Sequence, residues 1–254
     1  MKIKAISLNT LKEATRDKVF YNLLIFALLV IAASVLVGDL SIGANEKIIK
    51  DIGLAAILLF GMLTAILVGI SLVSKEVERR TLYTILAKPV HRYEFLLGKY
   101  LGLCLTLLVN VVIMTAFLIL IVGWQRGALS VSLLKAITLI YCELVLVTAI
   151  ALLFSTFSSP TLSAVFTLAL YVIGHLTADL KGIGAVAKSQ LSRSLINLCY
   201  YLLPNFNNFN IRAEVVHGVH IGNAYLLGVV LYTVLYIGIF LCLSILSFQR
   251  KEFN

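Results

Sequence analysis

Charge is scarce in this chain: 13% of its 254 residues are Asp, Glu, Lys or Arg, against roughly 25% in soluble domains. With 61% hydrophobic residues and a mean hydropathy of +1.02, this excludes a water-soluble globule and marks an integral membrane protein. Proline is nearly absent, at three residues, which favours uninterrupted helices over loops. The four cysteines, Cys104, Cys142, Cys199 and Cys242, show no metal-ligand spacing, and three lie inside apolar runs, so they read as small packing residues. Catalytic signatures are missing too. No G-x-x-x-x-G-K-[ST] occurs; the nearest fragment, Gly98-Lys99, has Tyr93 in place of the first glycine and Tyr100 in place of Ser or Thr. H-E-x-x-H and G-x-S-x-G are also absent. A nucleotide site, a zinc protease and a serine hydrolase therefore lack support, and no metal or other cofactor is expected on this chain. A cleavable signal is not expected either, because the first apolar run has 20 residues and no A-x-A site follows it.

Six long apolar runs are what the chain does have. They cover about 19–38, 52–74, 100–123, 133–154, 161–178 and 223–248. About 20 residues suffice for a helix to cross a bilayer, whereas barrel strands need only about 9–11 and alternate in polarity. The expected fold is an all-α polytopic membrane protein, a single transmembrane domain over 1–254. The turn before the fifth run places Pro160 in the first turn of a helix. Lys and Arg number five in 1–18, six in 75–99 and two in the tail, thirteen in all, against eight on the opposite side. The richer side is cytoplasmic by the positive-inside rule, which places both termini inside. The net charge of +9 thus reflects membrane ends rather than nucleic acid.

Residues 1–18 carry Ile3, Ile6, Leu8, Leu11 and Ala14 on one helical face and Lys2, Asn9, Lys12, Glu13 and Arg16 on the other. That pattern predicts an amphipathic helix along the cytoplasmic membrane surface. The only long segment on the other side, 179–222, holds Leu195–Leu203, too short to span, then Pro204-Asn205-Phe206-Asn207-Asn208-Phe209-Asn210. Short re-entrant or interfacial helices fit it.

Polar residues within the runs are few. Glu143, central in the fourth, is either a substrate or proton contact or a neutral carboxyl hydrogen-bonded to another helix, with Asn110 as a candidate partner. His175 and Asp179, four apart, share a face as an interfacial pair or as a proton or metal site. His217 and His220 have no Cys or Met cluster to complete a metal site. Gly61, Ala65 and Gly69 form a small-residue stripe for close helix packing, in this chain or against a second one.

One compact charged interruption, 75–99, separates uncharged stretches of 23 and 26 residues, Ile52–Ser74 and Tyr100–Gln125. A loop that only fixes topology accounts for its arginines. It leaves unexplained the mixture of Val77, Leu82, Tyr83, Ile85 and Leu86 with charge, the stop at Pro89 and the restart at Arg92. A short helix parallel to the membrane, docking a soluble partner, accounts for both.

These residues resemble a known family. Lys75-Glu76-Val77-Glu78-Arg79-Arg80-Thr81-Leu82, Ala87-Lys88-Pro89-Val90-His91-Arg92 and Leu97-Gly98-Lys99 are similar to the first cytoplasmic loop of ABC-2 type permeases. Pro204-Asn205-Phe206 and the ending Phe248-Gln249-Arg250-Lys251 resemble the NosY-like branch. Arg80 stands where many relatives have glycine. The resemblance implies the membrane-spanning subunit of an ABC transporter in the cytoplasmic (inner) membrane. It implies two copies of a cytoplasmic ATPase that hold the ATP and Mg, a second permease subunit forming a homodimer, and room for a periplasmic or membrane accessory protein. Glu76, Glu78, Arg79, Arg80, Thr81, Leu82, Tyr83, Leu86, Pro89 and Arg92 would then couple to the ATPase. Export is the implied direction. A stand-alone secondary transporter is the first alternative, though it would show internal repeats and broken helices; a scaffold for a maturation complex is the second.

Overall fold

The computed structural model describes residues 2–41, 44–78, 91–125, 130–186, 203–219 and 221–250. Among them every regular element is helical and no strand occurs. The helices are α1 (Lys2–Ala14), α2 (Lys18–Asp39), α3 (Asn45–Glu78), α4 (Arg92–Trp124), α5 (Val131–Phe157), α6 (Pro160–Val186), α7 (Arg212–Val216) and α8 (Asn223–Arg250), with a 3₁₀ turn at Phe206–Phe209. Six of these are long and apolar enough to cross a membrane: α2, α3 as far as Leu72, α4, α5, α6 as far as Thr177, and α8 as far as Phe248.

Local chemistry sets the helix ends. Asp17 opens α2 by accepting a hydrogen bond from the Val19 amide at 2.9 Å. The Ser130 hydroxyl opens α5 by accepting from Leu133 N at 3.3 Å. Glu94 accepts from the His91 amide at 3.0 Å, so α4 starts at Arg92, within the charged interruption and eight residues before the apolar run at 100. Similarly α3 does not stop at Ser74 but continues through Glu78, so Glu76 and Glu78 extend the second span.

Within the bilayer, backbone and hydroxyl groups must find partners in the protein. Thr106, Thr148, Thr167, Thr233 and Ser244 are buried and donate to the carbonyl four residues earlier, at 2.7–2.9 Å. These apolar runs therefore carry hydroxyls without an orphaned donor at those positions.

The helices α3 and α5 form the centre: 61% of the apolar stretch of each is buried, against 22% in α6 and in α8. Small residues allow this packing. A Cβ built on Gly61 would stand 2.5 Å from the Leu144 side chain of α5, and one on Gly69 would meet Leu103 of α4 at 3.7 Å, with Ala65 buried between them. The Gly61/Ala65/Gly69 stripe is thus used within the chain. Helix α2 packs along α3, and α8 along α5.

The N-terminal helix is docked rather than lying free on a surface. It crosses the start of α4, where Gly98 and Gly102 bring the two backbones together. Its most buried residues are Ser7, Thr10 and Ala14, with Ile3 and Ile6 half-buried beside them, while Leu8 is 45% exposed. The buried stripe is therefore rotated from the most apolar face towards the smallest residues, because close approach to glycine selects for size. The Thr10 hydroxyl is satisfied by donating to Ile6 O at 2.9 Å.

Candidate functional site

Two groups of polar residues stand out, one at each end of the bundle. The first lies where both chain termini emerge. There the opening turns of α4 are gripped from two sides. On the α1 side, Lys99 Nζ is 3.4 Å from Glu13 Oε2 and Lys2 Nζ is 3.9 Å from Glu94 Oε2. Lys99 is only 2% exposed and lies 6.0 Å from the centre of the Phe95 ring, so its stem and its charge are both enclosed. On the α8 side, Arg92 Nη1 donates to Phe248 O at 3.2 Å, and the Phe95 and Phe248 rings stack with centroids 6.3 Å apart.

This grip positions the charged interruption. Its first four residues, Lys75 to Glu78, extend α3, and Arg92 begins α4. Arg79, Arg80, Thr81, Leu82, Tyr83, Leu86 and Pro89 lie outside the described residues. Of the coupling residues read from the sequence, Arg92 is thus placed in detail, as a brace between α4 and α8. Sequence reasoning missed Glu13 and Lys99, although Gly98 and Gly102, four apart, were a readable signal that another helix approaches there.

The second group is deeper, towards the opposite end. Glu143 of α5 is 1% exposed, and its Oε1 has no hydrogen-bond partner among the described residues. His175 of α6 brings Nε2 to 3.5 Å from that oxygen, and the Tyr171 side chain acts on the same carboxyl. Asn110 is not the partner anticipated for Glu143: its Nδ2 donates instead to Thr64 Oγ1 at 3.1 Å, tying α4 to α3. Helix α6 also holds Asp179, one turn beyond His175, on a stretch whose side chains are outside the described set. His217 is exposed and His220 lies outside the described residues; among those described, no group of three metal-ligating side chains occurs.

The segment Leu203–Ile211 covers this group. Phe206 and Phe209 are fully enclosed. Asn207 Nδ2 donates to His175 O at 2.7 Å, and the Phe206 and His175 rings stack at 5.6 Å and 12°. On the α8 side, Tyr232 accepts from the Asn205 amide at 2.7 Å and Tyr236 donates to Leu203 O at 3.5 Å. Tyr236 is 13 residues inside α8, about 20 Å at 1.5 Å per residue. The segment therefore packs alongside the first part of α8, where protein groups satisfy its irregular backbone.

Gly174 makes the seat. A Cβ there would stand 2.7 Å from Pro204 O and would overlap the Phe206 ring. Both neighbours are rigid, so Gly174→Leu is expected to lift the segment. Amide hydrogen exchange over 205–210 should then rise at least about tenfold, as in a locally opened region. Unchanged protection would show that the glycine contact does not hold the turn.

Comparison with protein families matches residues 5–253 to the ABC-2 family transporter protein model. No curated protein matches the chain with significant similarity. The match takes in the gripped α4, the charged interruption, the segment before α8 and all six membrane-length helices. The chain belongs to the ABC-2 family of transporter proteins, as a multi-pass membrane permease subunit of an ABC transporter.

Proposed function

We propose that this permease exports its substrate across the cytoplasmic membrane, driven by ATP hydrolysis in a separate ATPase that docks on the 75–99 interruption. The family match over nearly the whole chain carries this reading. The termini and the interruption face the cytoplasm, as the Lys and Arg distribution favours. ATP and Mg are held by the ATPase, and this chain performs no hydrolysis of its own. Closure of two ATPase subunits displaces the interruption. Because α4 is braced to α1 through Lys99–Glu13 and to α8 through Arg92–Phe248, the displacement moves three helices together.

Two copies of the permease pair, with the pathway between them. Much of α3 and α5 is occupied in the centre of the chain, whereas α6 presents Leu162, Val165, Leu168, Val172 and Leu176 outward. That face suits either lipid or a second subunit, and the pathway reading assigns part of it to the second subunit. Cysteines along α6 are expected to crosslink between subunits, less so once ATP is trapped. Crosslinks confined to one chain, with a monomeric mass in detergent and in lipid discs, would overturn the pairing.

The docking role is tested by exchanging the charges of Glu78 and Arg79. Membrane levels are expected to stay near normal, because the flanking apolar runs drive insertion. Capture of the ATPase should fall roughly tenfold or more, the loss expected from central interface residues. Normal complex formation by the double variant would remove the docking role.

A further inference from the structure

The ring of His175 has a tautomer that its surroundings dictate. Nδ1 is 3.3 Å from the Tyr171 carbonyl, an acceptor only, so Nδ1 carries a hydrogen. In a neutral imidazole that leaves Nε2 as a bare acceptor. Nε2 lies 3.5 Å from Glu143 Oε1. An ionised carboxylate there would set acceptor against acceptor in a buried space, with Oε1 already lacking any partner among the described residues. The contact becomes favourable when a proton lies between the two atoms, on the carboxyl or on the imidazole.

We propose that Glu143 and His175 form a single proton-binding site, and that the bound proton latches the segment 203–211 onto α6. The inference does not depend on ATPase docking. The chemistry is a proton shared between a carboxyl oxygen and an imidazole nitrogen. With the proton on Glu143, O–H donates to Nε2; with it on His175, N–H donates to the carboxylate. The Tyr171 hydroxyl serves the carboxyl in either case.

The latch follows from what His175 touches. Its ring is the surface on which Phe206 stacks, and its backbone carbonyl receives the Asn207 amide. A turn of the imidazole away from Glu143 would therefore remove the platform under the segment. The charged and titratable groups acting on the pair are Tyr171 on α6 and Arg212 at the start of α7. On α3, Lys50 pairs with Glu46. From α8, Tyr232 uses its hydroxyl on Asn205. Once the proton leaves, Arg212 is the cation positioned to draw the bare carboxylate, and it sits on the strand of chain that the latch holds.

The experiment uses the full-length permease in lipid discs, with isotope-labelled Glu and His. Carbon and nitrogen shifts at neutral pH are expected to report one shared proton, either an un-ionised Glu143 or an imidazolium at His175. An ionised Glu143 beside a neutral His175 would overturn the site. In the second arm, exchange of the 205–210 amides is followed against pH and corrected for intrinsic exchange. The wild type is expected to lose protection roughly tenfold as base withdraws the proton, the effect of one hydrogen bond to a charged group. Glu143→Gln supplies a permanent N–H donor in place of the proton, so its protection should stay high and flat across the same range. A Gln variant that tracks the wild type, or a wild type with no pH dependence, would overturn the latch.

Discussion

Replacing Gly102 with leucine is expected to unseat α1 and to cut ATP-driven transport by the assembled complex about tenfold or more, while the chain still inserts. A Cβ at this position would stand 2.5 Å from Thr10 Cβ and 2.7 Å from Ser7 O. A backbone carbonyl in a helix cannot swing aside, so the helices must part. Overpacking of this kind costs about 1–3 kcal/mol. The ion pairs on α1 add little to this packing: Glu13 and Lys2 are each more than two-fifths exposed, and such pairs are worth at most about 1 kcal/mol each. Insertion relies on six apolar runs that do not include α1. Tryptic cleavage at Lys12 and Arg16, both exposed, should accelerate as α1 comes away. Gly69→Ala is the control, since its Cβ meets only Leu103 at an ordinary 3.7 Å and should leave both readouts unchanged. Unaltered cleavage in Gly102→Leu would mean that the glycine groove does not secure α1.

Glu143→Lys is expected to be the most damaging single change in the membrane-spanning part. Position 143 is buried at 1% exposure, beside His175 and within the field of Arg212. A lysine there replaces the one acidic group by a further cation. The charge alone costs about 2.5–3.5 kcal/mol at the centre of a spanning helix, and repulsion adds to it. Membrane levels and monodispersity in mild detergent should collapse. Leucine should be intermediate, since it removes a costly polar group but leaves the Tyr171 hydroxyl and the imidazole facing it without their partner. Glutamine should be close to wild type in yield, because it fits the space and supplies both a donor and an acceptor. If lysine accumulated like the wild type, position 143 would have to reach water in the assembled protein. If glutamine assembled normally yet abolished transport, the carboxyl would have a role in the pathway itself.

Composition and run length determined the membrane class and the six helices. Uninterrupted apolar residues over a bilayer thickness leave the backbone no other way to satisfy its hydrogen bonds. The charged interruption was equally legible, because Pro89, Arg92 and the acidic-basic pattern are local signals. The segment before α8 read as re-entrant or interfacial, from a run too short to span followed by a proline- and asparagine-rich turn; residues 195–202 of it lie outside the described residues. What the sequence left open was which faces meet. The stripe at Gly61, Ala65 and Gly69 reads the same whether its partner belongs to this chain or to another; Leu144 and Leu103 of this chain take it. The N-terminal helix shows its greasiest face in sequence, yet docks by its smallest one, because the opposing groove at Gly98 and Gly102 is 92 and more residues away from the residues it meets. Glu143 called for a partner, and the sequence offered Asn110 while pairing His175 with Asp179. Only the tertiary packing of α5 against α6 brought the imidazole within 3.5 Å, while Asn110 turned to Thr64 on α3. Helical periodicity fixes which residues share a face of one helix. The rotation of each helix about its own axis is fixed by its neighbours, and in a bundle this apolar several rotations bury similar area, so small residues and a few polar pairs decide among them.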